Sequence, residues 1–309
     1  MLLKKLENHQ RPLNSEPVRY KVMGNVREIF WSSRRSVGGY IKKLDKHEYV
    51  DLRTGEVLPF THMENRADNV SSVRKSLGRL RDYLNTNIDD VSRCRWVTLT
   101  YAENMTDTSR LKKDFEKFNK RLRYEIGHYE YITAAEPQGR GAWHLHVVMI
   151  FADKAPFIPN ELMAEKWGHG FVTVKKLDDV DNVGAYLTAY LGDMEFSECI
   201  ELSGGDVKRI KGYGVKEVEV VQEDGTKLTK KYIKGARLHM YPPQFNLYRI
   251  SKGIKKPEIE MMLAEMAEKK VSAATLTFEN TLQIADESSG FQSTLNYRYY
   301  NIARKNPQV

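Results

Sequence analysis

EYITAAEPQGRGAWHLHVVMIF, residues 130–151, holds two β-rich runs around a turn. EYITAAE (130–136) and WHLHVVMIF (143–151) flank PQGRG (137–141), whose proline and glycines favour a reversal of the chain. Two strands joined by so short a loop are expected to pair antiparallel. On a strand, side chains two apart share a face, so His144 and His146 project together and Leu145 points into the opposite layer. Two imidazoles about 7 Å apart along a strand can converge on one ion. Glu136 ends the preceding strand, where a tight hairpin brings it beside the histidines. Two imidazoles and a carboxylate leave open positions for water and phosphate oxygens. That suits Mg²⁺ or Mn²⁺, and by ligand type also Zn²⁺, Co²⁺ or Ni²⁺. Taken singly, each residue also reads as an ordinary surface or packing side chain, so the neighbouring motifs have to decide.

Upstream, RWVTLTY (95–101) reads as a strand. TDTSRLKKDFEKFNKRLRYEIG follows as a helix with Leu111, Phe115, Phe118 and Leu122 in one stripe, capped by Thr106 or Asp107. Downstream come a short helix (159–168), a strand (171–177) and a helix over 178–193, DDVDNVGAYLTAYLGD. Tyr186 and Tyr190 lie four apart, on one face of that helix. The order β-α-β-β-α-β-α predicts an α+β domain, a central antiparallel sheet flanked by helices and related to the split-βαβ plan. Before it, residues 70–87 form a predicted helix with Val73, Leu77, Leu80 and Leu84 on one side and Arg74, Lys75, Arg79 and Arg81 on the other. After it come a hairpin turning at Asp224–Gly225 and an amphipathic helix over 257–270. No fold is assigned to residues 1–60. The expected division is a basic N-terminal extension (1–90), a catalytic domain (91–196) and a C-terminal hairpin and helix region (197–309) that packs on the catalytic domain or binds DNA.

The chain has 309 residues, 41% hydrophobic and 29% charged, as in globular proteins. No run approaches the roughly 20 apolar residues of a membrane span, and the N-terminus lacks a secretory signal. Cys94 and Cys199 are far apart and outside any CxxC, which argues against a disulfide scaffold or zinc finger and fits the cytoplasm. Net charge is +8, unevenly spread: +5 over residues 1–90, −1 over 91–196 and +4 over 197–309. A cation site between polyanion-binding flanks produces such a distribution. There is no GxxxxGK[ST], hence no P-loop motor.

With these motifs in order, residues 91–196 resemble the HUH endonucleases, and among them the rolling-circle replication initiators (Rep proteins) of bacterial plasmids and phages. WVTLTY (96–101) resembles the family's first motif, HLHVV (144–148) its His-hydrophobic-His motif and YLTAY (186–190) its tyrosine motif; RLHMYPPQF (237–245) is Rep-like less specifically. The resemblance implies His144, His146 and Glu136 as ligands of Mn²⁺ or Mg²⁺. It implies Tyr186 as the nucleophile that leaves a 5′-phosphotyrosine and a free 3′-hydroxyl, and Tyr190 as the residue for a second transfer. The partners implied are single-stranded or hairpin origin DNA, a host helicase and a host DNA polymerase. The chain departs from the family at Ala189, where many members carry lysine three residues after the nucleophile, and at Asn182, where some carry glutamate. An HUH relaxase or single-strand transposase is the near alternative; a non-catalytic nucleic-acid-binding module is the alternative of another class, and a metal hydrolase forming no covalent adduct is a third.

Overall fold

The computed structural model describes residues 2–34, 40–60, 69–177, 182–188, 191–203, 215–221, 227–286 and 290–304. The chain begins with strands β1 (Leu2–Lys5), β2 (Pro17–Met23), β3 (Val26–Ser32), β4 (Ile41–Lys43), β5 (Glu48–Asp51) and β6 (Val57–Pro59). Helix α1 (Val70–Asn87), strand β7 (Cys94–Thr100), helix α2 (Thr108–Ile126), strands β8 (Glu130–Pro137) and β9 (Trp143–Ile150), helix α3 (Asn160–Trp167), strand β10 (Val172–Lys175) and helix α4 (Val183–Thr188) follow. Then come β11 (Met194–Glu195), α5 (Phe196–Ser203), β12 (Val215–Val221), β13 (Lys227–Ile233), β14 (Tyr248–Ile250), β15 (Glu258–Leu263), α6 (Ala264–Val271), β16 (Thr275–Asp286) and β17 (Phe291–Asn301). The fold is α+β with antiparallel sheets, as the sequence pattern predicts.

Two compact units form, one from Glu64–Lys256 and one from Met1–Met63 with Pro257–Val309. The first is built on a five-stranded sheet in the order β10-β7-β9-β8-β14. Alternation along the strands gives that sheet two apolar faces. On one face Val97, Leu99, Leu145, Val147 and Met149 meet the α2 stripe of Leu111, Phe115, Phe118 and Leu122, together with Met163 and Trp167 of α3. Burying each such side chain contributes about 1.5–3 kcal/mol before chain entropy is set against it. On the other face Ile132, Ala134 and Val148 meet Leu80 and Leu84 of α1 and Val183 and Leu187 of α4. Asp107 caps α2, its side chain accepting from the Ser109 amide, and Asn69 caps α1 through the Ser72 amide. The expected hairpin exists as β12 paired with β13, joined by β11; its turn lies outside the described residues. Cys94 and Cys199 are free and buried.

The other unit carries a six-stranded sheet in the order β1-β16-β17-β3-β2-β15, so that the two ends of the chain share one sheet. Ala264, Ala267 and Val271 of α6 pack on Val18, Tyr20, Ile29 and Trp31. Two expectations change here. The helix predicted over 257–270 is a strand as far as Leu263 and a helix only from Ala264. The reason is tertiary: β2 offers an open ladder, and Glu258–Leu263 pair with Val22–Pro17 along it. The units also divide the chain at 63/64 and 256/257, where the sequence reading set segments 1–90, 91–196 and 197–309. Helix α1 packs on α4, and β14 completes the sheet of β8, so both join the unit of the histidine pair.

Candidate metal centre

The site arises from register. Glu136 lies directly across from His144 on the β8–β9 ladder, and Ala134 directly across from His146. On the other side of β9, Thr100 faces His144 and Thr98 faces His146. Directly opposed side chains are the closest pairs a sheet provides. The two imidazole centroids therefore lie 4.6 Å apart. Ala134 leaves the room into which Glu136 and His146 converge. Glu136 Oε2 is 3.1 Å from His144 Nε2 and 2.8 Å from His146 Nε2. Thr98 Oγ1 lies 3.3 Å from His146 Nδ1, which orients the ring and turns its Nε2 toward the carboxylate. Leu145, between the histidines, is buried in the opposite layer.

Glu136 is 8% exposed, yet it stays charged. Burial pushes its carboxyl up; hydrogen bonds from His144 and His146 and the charge of Arg237 outweigh that and hold it well below the usual carboxylate range. Burial lowers His144 below the ordinary imidazole value, against the pull of Glu136, so this ring favours its neutral, ligating form. The ligand atoms of Glu136, His144 and His146 all lie within 4.8 Å of one another. Two neutral imidazoles and one carboxylate, in a partly buried pocket with an outer partner on His146, are a donor set that fits a divalent cation.

Arg237 completes the surroundings. Its Nη1 lies 3.3 Å from Glu136 Oε1 and donates to the Pro137 carbonyl at 2.7 Å. Nη2 pairs with Glu198, and Nε donates to the Asp193 carbonyl at 2.7 Å. Tyr241 Oη donates to the Ala135 carbonyl at 3.0 Å on the neighbouring backbone. Sequence reasoning flagged the 237–245 segment by likeness alone and gave Arg237 no role, because nothing local links position 237 to a hairpin 100 residues earlier.

Tyr186 lies in α4, in the layer that covers the histidine face; its side chain and the whole of Tyr190 lie outside the described residues. Leu187, its neighbour, lines one small cavity together with His146, Trp96 and Ala134. α4 is held on α1 by polar contacts. Asn182 Oδ1 accepts from the Ala185 amide at 2.8 Å and from Asn85 Nδ2 at 2.9 Å, while Asn85 Oδ1 accepts from the Gly184 amide at 2.7 Å. Gly184 has to be glycine here: a Cβ would stand 2.4 Å from the Arg81 carbonyl oxygen.

The other flagged residues lie away from the centre. His169 sits beside Asp114 and stacks near Tyr101 and Trp167 on the opposite face, and exposed His128 bonds Glu130. Trp143 packs on Tyr241 and Phe245, and Tyr101 is buried with its hydroxyl donating to Asp114.

Residues 94–195 match the model of the replication-associated protein ORF2 family. The matched third of the chain runs from β7 to β11 and contains Glu136, His144, His146 and α4. A match to this family is consistent with a rolling-circle Rep, and the glutamate–histidine–histidine cluster is compatible with an HUH motif. The match connects the chain with replication, and the cluster with nuclease-like chemistry. No curated protein and no solved structure matches the chain. Among the described residues no helix is long and apolar enough to cross a membrane.

Proposed function

We propose that this protein is a rolling-circle replication initiator that nicks one DNA strand at an origin and later rejoins strands. The observation that carries the reading is the convergence of Glu136, His144 and His146 inside the segment that matches a replication-associated family. Residues 91–196 carry the chemistry, and Glu136, His144 and His146 hold Mn²⁺ or Mg²⁺. When bound, the cation supplies charge neutralisation at the scissile phosphate.

The protein's own residues do the rest. Tyr186 Oη attacks the scissile phosphorus; the Oη–P bond forms as the P–O3′ bond breaks. The phenolic proton leaves, and the departing oxygen takes up a proton to become a 3′-hydroxyl. An unperturbed tyrosine has a pKa near 10, so the site must favour the phenolate. That 3′-hydroxyl primes synthesis by a host polymerase in the cytoplasm, with unwinding by a host helicase. Tyr190 serves the second transfer, in which an incoming 3′-hydroxyl attacks a phosphotyrosine and restores the free phenol. The substrate is single-stranded or extruded hairpin DNA of the origin, because the phosphorus must be reachable by a helix-borne side chain.

The test is an adduct assay. The purified protein is incubated with Mn²⁺ and labelled single-stranded fragments of its own element's origin, and the products are run on a denaturing gel. A covalent adduct that disappears in Tyr186→Phe and in His146→Ala is expected. Loss in Tyr190→Phe alone would reverse the order of the two tyrosines. Tight binding with neither adduct nor cleavage, across several metals and the whole origin, would replace this reading by a binding module. Cleavage without an adduct would make the protein a metal hydrolase.

A further inference from the structure

Arg237 lies 42 residues beyond the family-matched segment, which ends at 195, yet its guanidinium reaches the centre of the candidate site. Its side chain is only 12% exposed, and every nitrogen of the fork has an acceptor. Those acceptors come from three places. Glu136 Oε1 and the Pro137 carbonyl belong to the end of β8, the Asp193 carbonyl to the stretch just after the tyrosine segment, and Glu198 to α5. The Arg237 amide also donates to the Gly192 carbonyl at 2.9 Å. Glu198 passes the connection back, because its second oxygen accepts from the Gly139 amide, in the loop between β8 and β9, at 2.6 Å.

The division of labour on Glu136 is the telling feature. Oε1 faces Arg237 at 3.3 Å, and Oε2 faces the two imidazoles at 2.8 and 3.1 Å. With one oxygen tethered, the carboxylate rotor is fixed and presents a single oxygen to the histidines. A planar guanidinium with five donors can hold a carboxylate, a second carboxylate and two carbonyls at once; an ammonium on a flexible stem cannot. Resting on the reading above, we infer that Arg237 is a positioning residue for the cation site: it fixes Glu136 as a one-oxygen ligand and ties that ligand to the backbone that leaves the tyrosine segment.

Charge alone gives the opposite expectation. Arg237 is a cation near a cation site, so removing it would tighten metal binding if its role were only Coulombic. A purely structural role would lower the melting temperature and leave metal affinity unchanged in the folded protein. Positioning predicts weaker binding, since loss of an outer partner of a ligand costs 10–100-fold in affinity.

The experiment is calorimetric titration of the full chain with Mn²⁺, without DNA, for the unaltered protein, Arg237→Gln and Arg237→Lys, with circular dichroism to confirm folding. Arg237→Gln is expected to bind Mn²⁺ about 10–100-fold more weakly. Arg237→Lys, which keeps charge and stem but not the fork, is expected to fall between it and the unaltered protein and serves as the folded comparison should the glutamine variant fail to fold. Affinity equal to or tighter than that of the unaltered protein in a folded Arg237→Lys overturns the inference. Absence of Mn²⁺ binding in the unaltered protein overturns the metal-centre reading, and this inference with it.

Discussion

Glu28 and Glu136 both sit on antiparallel sheets and are both nearly closed to solvent, at 3% and 8% exposure. Their partners differ in kind. Glu28 on β3 has Arg19 at 2.8 Å, Lys21 at 3.4 Å and the Tyr299 hydroxyl at 2.8 Å, so its charge is met by two permanent cations. Glu136 on β8 has two imidazoles on one oxygen and a single guanidinium on the other. An imidazole can give up its proton and offer a lone pair instead; an ammonium or guanidinium at neutral pH does not. Glu28 is therefore a closed ion-pair cluster that holds a sheet together. Glu136 is a carboxylate whose partners are exchangeable for a metal ion.

The comparison can be broken at several points. The largest expected effect is at the exchangeable site. His146→Ala should cut Mn²⁺-dependent cleavage of origin DNA by on the order of 10³-fold, since charge stabilisation at phosphate contributes several kcal/mol. Its unfolding midpoint should stay near that of the unaltered protein, as read in a denaturant titration. Glu28→Ala should do the reverse. Removing one partner strands Lys21 and Arg19 and should destabilise its sheet by about 3–5 kcal/mol in chemical denaturation, with Mn²⁺ affinity unchanged. If Glu28→Ala also lost Mn²⁺ binding, the contrast between the two carboxylates would collapse.

A smaller effect should come from Gly184→Ala. The new methyl meets the Arg81 carbonyl at 2.4 Å and forces α4 off α1, at about 1–3 kcal/mol of strain. Adduct formation should fall while Mn²⁺ affinity holds, because the ligands lie on strands and only the tyrosine helix moves. Loss of metal affinity in that variant would show that α4 supports the ligands as well.

The smallest expected effect is in pH dependence. Burial pushes the Glu28 carboxyl up, but Lys21, Arg19 and the Tyr299 hydroxyl hold its net value below the ordinary one. A lowered folded value means that the folded state binds fewer protons than the unfolded chain. The stabilisation is thus complete above about pH 4.3, the ordinary glutamate value, and is lost as pH falls toward the folded value. Stability of the unaltered protein should drop over that acid range, and Glu28→Gln should show a flatter profile. An equal slope in both would remove Glu28 from the acid response.

Much of the site's own neighbourhood was legible. The turn chemistry of 137–141 and the alternation of His144, Leu145 and His146 are properties of a few adjacent residues, and the β8–β9 register follows from them. Helix α1 over 70–87 and the α2 stripe were legible for the same reason, since an apolar period of 3.6 is local. The helix expected over 257–270 shows the limit. EIEMML carries a helical period, but an open edge on β2 overrode it. The six-stranded sheet was illegible because its strands come from residues 2–32 and 258–301, and no local pattern announces a partner more than 200 residues away.

The sequence by itself determined the donor types, their spacing and the face they share, because covalent order and strand geometry set these within a dozen residues. Only the tertiary structure decided that Thr98 orients His146, that Arg237 tethers one oxygen of Glu136, and that Asn85 and Gly184 seat α4 against α1. Those contacts join segments from about 50 to 100 residues apart. They exist only because burying the two faces of one sheet brings the segments to the same place.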